Sequence, residues 1–139
     1  MYRILAIDYG EKNIGLAISD PLRMIPKPYK TLKNEGLDSL TNEINNLIVC
    51  ENIGKVLLGL PLSVAGLDTQ KTAEIREVFS YLQNRIEAPL LLWDERYSTS
   101  DAKNILISKG MTLKNSKKVI DQTAAALILR SYLESNDNA

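Results

Sequence analysis

Three places in the 139-residue chain set acids where a reaction could use them. Asp8 ends the apolar run Ile4-Leu5-Ala6-Ile7 and precedes a turn-like Gly10-Glu11-Lys12-Asn13. Asp94 and Glu95 follow the apolar "PLLLW" of residues 89–93. Asp121 sits in "VIDQTAAALIL", one turn ahead of the small residues Ala124 and Ala125. A carboxylate beside a buried strand is costly unless something pairs with it. Several carboxylates gathered together repel one another unless a cation joins them. Mg²⁺ or Mn²⁺ suits such an all-oxygen shell and needs few protein ligands. Two such ions, about 3.5–4 Å apart, can hold an attacking water and the leaving oxygen of a phosphodiester in line. Each acid also has a structural use: an Asx-turn for Asp8, a surface ion pair for Glu95 with Arg96, a helix-dipole contact for Asp121.

Composition restricts the alternatives. There is no histidine, which removes the Ser-His and Cys-His nucleophile pairs and the usual general base. Cys50 is the sole cysteine, so neither an internal disulfide nor a cysteine-based zinc site can form. Seventeen basic residues balance seventeen acidic ones, which argues against coating nucleic acid by bulk charge. A local basic surface is still available: residues 102–118 hold Lys103, Lys109, Lys114, Lys117 and Lys118 and no acid. It reads either as a solvated loop or as a strand guide. No apolar run is long enough to cross a bilayer and the N-terminus lacks a signal-peptide core, so a cytoplasmic protein without a membrane partner is expected.

The elements that must position these acids follow from periodicity. Residues 3–9 and 14–19 read as a hairpin, with a third strand near Tyr29–Leu32 after the proline-rich "DPLRMIPKP". Leu37, Leu40, Ile44, Leu47 and Ile48 recur at helical spacing, with Cys50 as a partly buried, inert residue near the helix end. "KVLLGLP" (55–61) and "PLLLW" read as strands buried on both faces. Between them lies a helix capped by Asp68 or Thr69, with an apolar stripe of Ile75, Val78, Phe79, Leu82 and Ile86. Ser98 with Asp101 resembles a capping box for a helix stopped by Gly110. A final helix from about Ser116 to Leu133 turns Ile120, Thr123, Ala124, Leu127 and Ile128 inward. The order β-β-β-α-β-α-β-α-α predicts an α/β fold: a five-stranded mixed sheet, antiparallel then parallel, with helices on both faces. One domain over 1–139 is expected, with a frayed tail at 135–139. In such a sheet the C-terminal ends of parallel strands share one edge, which would bring the three acids together.

Four segments, "IDYGEKNIGLAISD", "VLLGLPLSVAGLDT", "WDERYSTSDA" and "VIDQTAAALILRSYL", together resemble the YqgF family, also described as RuvX-like or Holliday-junction-resolvase-like, of the RNase H-like superfamily. The likeness runs in order over almost the whole chain. It implies an RNase H-like fold and a metal-dependent nuclease using Mg²⁺ or Mn²⁺. Family members are regarded as nucleases that mature the 5′ end of pre-16S rRNA, and some have been proposed to cut four-way DNA junctions. Carried over by position, the resemblance makes Asp8, Glu95 and Asp121 the catalytic, metal-binding acids, with Asp94 as a substitute for Glu95. Lys12, Arg96, Thr99, Lys114, Lys117 and Lys118 would contact substrate. Partners implied are RNA (pre-16S rRNA within the pre-30S particle) or branched DNA, acted on by a monomer or weak homodimer. The chain departs from the family in having Asn13 where arginine is common, "SVA" in the 59–66 stretch, and lysines where the loop before the last helix often carries arginines. Lysine attracts phosphate but lacks the bidentate fork of arginine. Three functions are consistent with this reading: an rRNA-processing nuclease, a junction resolvase, or a non-catalytic nucleic-acid-binding module in ribosome assembly.

Overall fold

The computed structural model describes residues 1–63, 65–94 and 113–135, and of 113–122 the helical backbone alone. Strands β1 (Arg3–Tyr9) and β2 (Asn13–Ser19) form the expected antiparallel hairpin, with Leu5 opposite Ile18 and Asp8 opposite Gly15. Its turn requires Gly10, where a Cβ would come within 2.3 Å of the Asn13 carbonyl oxygen. Asn34 braces the turn from outside: its Nδ2 donates to the Gly10 carbonyl, and its N–H to that of Lys12, both at 2.9 Å. Strand β3 (Pro26–Lys33) pairs antiparallel with β2 and is longer than the Tyr29–Leu32 span expected. Pro26 and Pro28 are tolerated because β3 is an edge strand, where a missing N–H can face solvent.

The chain then alternates. Helix α1 (Leu37–Cys50) buries Leu40, Ile44 and Leu47, and leads into β4 (Ile53–Leu60), parallel to β1. Helix α2 (Gln70–Gln83) is capped by Thr69 and returns the chain to β5 (Leu90–Asp94), parallel to β4. The sheet order is β3-β2-β1-β4-β5, so β4 lies between the strands that carry Asp8 and Asp94 near their C-terminal ends. Helix α3 (Leu113–Glu134) closes the fold.

Strand alternation sorts the side chains into two layers. Leu5, Ile7, Leu16, Val56 and Leu58 face α1 and α2, meeting Ile44, Ile75 and Leu82 in a core of large aliphatics. The opposite face offers Ile4, Ala6, Ala17 and Leu57 to α3, which meets them with Ala125, Ala126, Ile128, Leu129 and Tyr132. Small residues on both partners allow the helix to lie close to the sheet.

Four expectations need correction. Cys50 is exposed, because the last turn of α1 runs past the core. Ile86 is buried but lies beyond α2, which ends at Gln83. "PLLLW" is not buried on both faces: β5 is an edge strand and Leu91 is 39% exposed. In α3 the buried set is Ala124, Ala125, Ala126, Ile128, Leu129 and Tyr132, whereas Thr123 and Leu127 are only partly covered. The helix expected between Ser98 and Gly110, and the last four residues of the tail, lie outside the described residues. No helix among the described residues is long and apolar enough to cross a membrane.

Candidate active site

Asp8 is the sixth residue of β1, the central strand, and sits at its C-terminal end. By alternation it shares the α3 side of the sheet with Ile4 and Ala6. Both flanks at this level are glycine. Gly15 is its partner on β2, and Ile7 pairs with Leu58 on β4, which puts Gly59 level with Asp8. The neighbouring strands therefore contribute no side chain beside the carboxylate. Next along the row, Gly59 pairs with Trp93 and Leu60 with Asp94. The C-terminal ends of β1, β4 and β5 thus share one edge, as the predicted topology requires.

That register separates two adjacent residues. Trp93 packs with the α3-side cluster, while Leu90 and Leu92 pack with the aliphatic core on the other side. Asp94 alternates with Leu90 and Leu92, so it belongs to the face opposite Asp8. Asp94, the alternative to Glu95, thus ends β5 on the other side of the row that runs from Asp8 to Trp93. Glu95, Arg96 and Thr99 lie outside the described residues, as do the side chains of Lys114, Lys117, Lys118 and Asp121. Among the described residues, no group of three His, Cys, Asp or Glu could hold a metal ion.

Helix α3 carries Asp121 differently from the sequence expectation. It begins at Leu113, about three residues early, so Asp121 is its ninth residue rather than part of an early turn. The helix dipole acts mainly over the first turn and is not available to that carboxylate. Lys114, Lys117 and Lys118 consequently stand on the first two helical turns and not in a loop. The C-terminal turns of α3 lie at the far edge of the sheet. Arg130, Leu133 and Glu134 line a cavity there with Arg23 and Met24. The N-terminal half of α3 therefore runs toward the edge that carries Asp8. Lys12, in the β1–β2 turn at that same edge, is exposed.

Two fasteners, one at the exit of β4 and one between α3 and the sheet, escaped the sequence reading. Thr72 Oγ1 donates to the Pro61 carbonyl just beyond β4 and accepts from the Thr69 N–H at 2.9 Å, while Thr69 Oγ1 accepts from the Thr72 N–H at 3.2 Å. The signal available was Thr69-x-x-Thr72, a capping box with threonine in place of Glu or Gln. The second fastener is aromatic. Trp93 meets the Tyr132 ring edge-on at 5.0 Å, its Nε1 donates to Ser131 Oγ at 3.1 Å, and Lys55 Nζ donates to the Tyr132 hydroxyl at 2.6 Å. Together they tie α3 to β4 and β5.

With this geometry in place, comparison with known proteins decides the family. A family model described as RuvX, Holliday junction resolvase, matches residues 2–135. The chain belongs to the RuvX family. Relatives named "Putative pre-16S rRNA nuclease" include those of Maridesulfovibrio salexigens, 37% identical over 94% of this chain and 97% of the relative, and Caldicellulosiruptor saccharolyticus, 38% identical over 95% and 96%. The fold is that of the resolvases and RNase H-like. T. thermophilus RuvC, solved in complex with a Holliday junction substrate, superposes with a TM-score of 0.56 at 11% identity, covering 96% of this chain and 97% of that one. The fowlpox virus resolvase, solved with Holliday junction DNA, gives 0.57 at 16% identity, covering 95% and 97%. As a RuvX protein the chain is a nuclease, a hydrolase of phosphodiester bonds.

Proposed function

We propose that this RuvX protein is a metal-dependent nuclease that trims the 5′ end of pre-16S rRNA in the cytoplasm, with Asp8, Glu95 and Asp121 as its acids. The observation that carries the reading is the place of Asp8: on the α3 side of the central strand, at the edge shared by β1, β4 and β5, between Gly15 and Gly59. Asp121 stands about 16 Å of helix before Tyr132, in the half of α3 that runs toward the edge carrying Asp8. Glu95 joins the set by its match to the family motif "WDERYSTSDA".

The donor set fits a hard cation: carboxylates only, without histidine and with a single cysteine, Cys50, exposed at the end of α1. A bound Mg²⁺ or Mn²⁺ would supply charge neutralisation and orientation of water and phosphodiester. The chain's own part is to hold those carboxylates in place, which the closely packed alanine face of α3 favours. Lys114, Lys117 and Lys118 stand at i, i+3 and i+4 of α3, and Asp121 at i+7. The four positions form one helical stripe, and lysines there would lead a phosphate backbone toward the acid. Lys12, and Arg96 with Thr99 beyond β5, complete the proposed substrate contacts.

The test compares labelled precursor rRNA with a synthetic four-way DNA junction, each given wild type, Asp8→Asn, Glu95→Gln, Asp121→Asn and Asp94→Asn. Expected is cleavage of the rRNA precursor dependent on added Mg²⁺ or Mn²⁺. It should be lost by at least about 100-fold in the first three variants and retained in Asp94→Asn. Faster, paired nicking of the junction would transfer the activity to branched DNA. Undiminished cleavage by a folded Asp8→Asn protein would end the carboxylate mechanism.

A further inference from the structure

Helix α3 needs a definite angle over the sheet, and its own packing there supplies little direction. On β1 and β2 it sets Ala125 and Ala126 against Ala6 and Ala17. Alanine on alanine permits close approach, but its ridges are shallow and resist sliding or swinging weakly. The edge strand β5 supplies what is missing. Leu90 and Leu92 pack on the other layer and Leu91 is 39% exposed, which leaves Trp93 as the residue of β5 that joins the α3-side cluster. Trp93 pairs with Gly59, which is level with Asp8, so its ring rises from the row of the sheet that carries the acid. It meets the Tyr132 ring edge-on at 5.0 Å and 83°, and its Nε1 donates to Ser131 Oγ at 3.1 Å. Tyr132, only 3% exposed, is gripped a second time by Lys55, whose Nζ donates to the hydroxyl at 2.6 Å and lies 5.2 Å from the ring centroid. Lys55 pairs with Ile4 and stands about 13 Å of strand before Gly59. One attachment would leave the helix free to pivot; two on separate rows fix a direction.

We propose that Trp93, Ser131, Tyr132 and Lys55 form a lock that sets the angle of α3 over the Asp8 row, and thereby the spacing of Asp8 and Asp121. All four are positioning residues that act through the helix. The consequence for the site rests on the proposed function, in which both acids hold a cation. Its size follows from the length of the lever. Asp121 stands about 16 Å of helix from Tyr132, so a swing of about 5° at the lock moves it by about 1.4 Å. A metal-binding constellation has to be kept within roughly 0.5 Å of its productive geometry. The bond from Trp93 to Ser131 lies at the surface, where it contributes little to folding. Loosening the lock should therefore be felt at the acids before it is felt in stability.

The test uses the full chain and two readouts, neither of which is catalysis. One is Mn²⁺ affinity by calorimetry. The other, in metal-free protein, is the distance distribution between spin labels at Lys12→Cys and Lys117→Cys on a Cys50→Ser background. Trp93→Leu removes ring and N–H, Trp93→Phe keeps an aromatic edge, and Ser131→Ala/Tyr132→Phe loosens the lock from the helix side. Expected is Mn²⁺ binding at least tenfold weaker, with a broadened distribution, in Trp93→Leu and in the helix-side pair, and recovery of most of both in Trp93→Phe. Should Trp93→Leu fail to fold, the helix-side pair carries the test alone. Unchanged label distances in the folded variants would overturn the proposal. So would an effect confined to the Trp93 variants, which would place their action on the strand end and not on α3. If the distances respond but wild type takes up no Mn²⁺ that depends on Asp8, the lock stands and the metal reading of the site falls.

Discussion

Thr72 is fully buried although it carries a hydroxyl, and replacing it with valine tests whether that hydroxyl fastens the exit of β4. Valine keeps the shape and removes one oxygen. Two partners then lose their bond, the Pro61 carbonyl and the Thr69 N–H, both in partly buried surroundings. Leaving a buried polar group unpaired costs about 1–3 kcal/mol, and partial burial favours the lower end, so the pair amounts to about 2 kcal/mol. For a chain of this size that is a drop in Tm of roughly 6–10 °C, or about 1 M in the urea midpoint at unchanged m. Thr72→Ser keeps the hydroxyl and loses a methyl, so it should cost only about 0.8 kcal/mol. Thr69→Ala removes one half of the reciprocal cap and should cost about 1 kcal/mol. The double variant Thr69→Ala/Thr72→Val should then cost less than the sum of the two. Chemical denaturation of all four proteins decides the matter. If valine is tolerated as well as serine, the hydroxyl contributes nothing and burial of the methyl explains the residue.

Ala125→Leu should destabilise the fold by about 1–3 kcal/mol, because Ala125, Ala6 and Ala17 are all fully buried where α3 lies on the sheet. It should also slow cleavage by more than the lost folded fraction, and wild-type denaturation and rate together would contradict close packing there. Asp94→Asn should leave metal affinity unchanged within about twofold while Glu95→Gln lowers it at least tenfold, read by calorimetry with Mn²⁺; the reverse result would refute the face assignment. The N–H groups of Ile25 and Met24 hold the Asp20 carboxyl below its ordinary value of 3.8. A lowered native pKa stabilises above the unfolded value and is lost as pH falls through the native one. Asp20→Ala should therefore be less stable than wild type at pH 7, with the gap closing below about pH 4 in thermal melts. An equal gap at pH 3 and pH 7 would show that the carboxylate charge is not what holds the link.

Periodicity carried the hairpin, β4 and the core of α1 because each is long and apolar on a single repeat. The full length of the edge strand β3 is hidden in the sequence because Pro26, Lys27, Pro28 and Lys30 read as a breaker stretch, and only its place at the sheet's edge makes them acceptable. The start of α3 is hidden for a related reason: "LKNSKK" has helix-compatible residues but no apolar stripe to mark a face. The acid at the end of β1 was legible, since Asp8 interrupts an otherwise apolar run. The facing of Asp94 was not. A continuous run such as "PLLLW" hides which residues look which way, and the register with β4 was needed to see that Trp93 and Asp94 part company.

The two faces of the sheet divide the work that a nuclease of this size must do. On the α1 and α2 side, large branched residues fill the space and supply most of the apolar burial. On the α3 side, Ala6, Ala17, Gly15 and Gly59 surround Asp8 and give up that burial. Glycine within a strand weakens it, by the loss of side-chain packing and by backbone entropy. Here that cost falls on both neighbours of one carboxylate at a shared strand edge. The fasteners at Thr72 and at Trp93 with Tyr132 then become intelligible. They clamp β4 and α3 from outside the row of small residues, where rigidity can be supplied without filling the space around the acid.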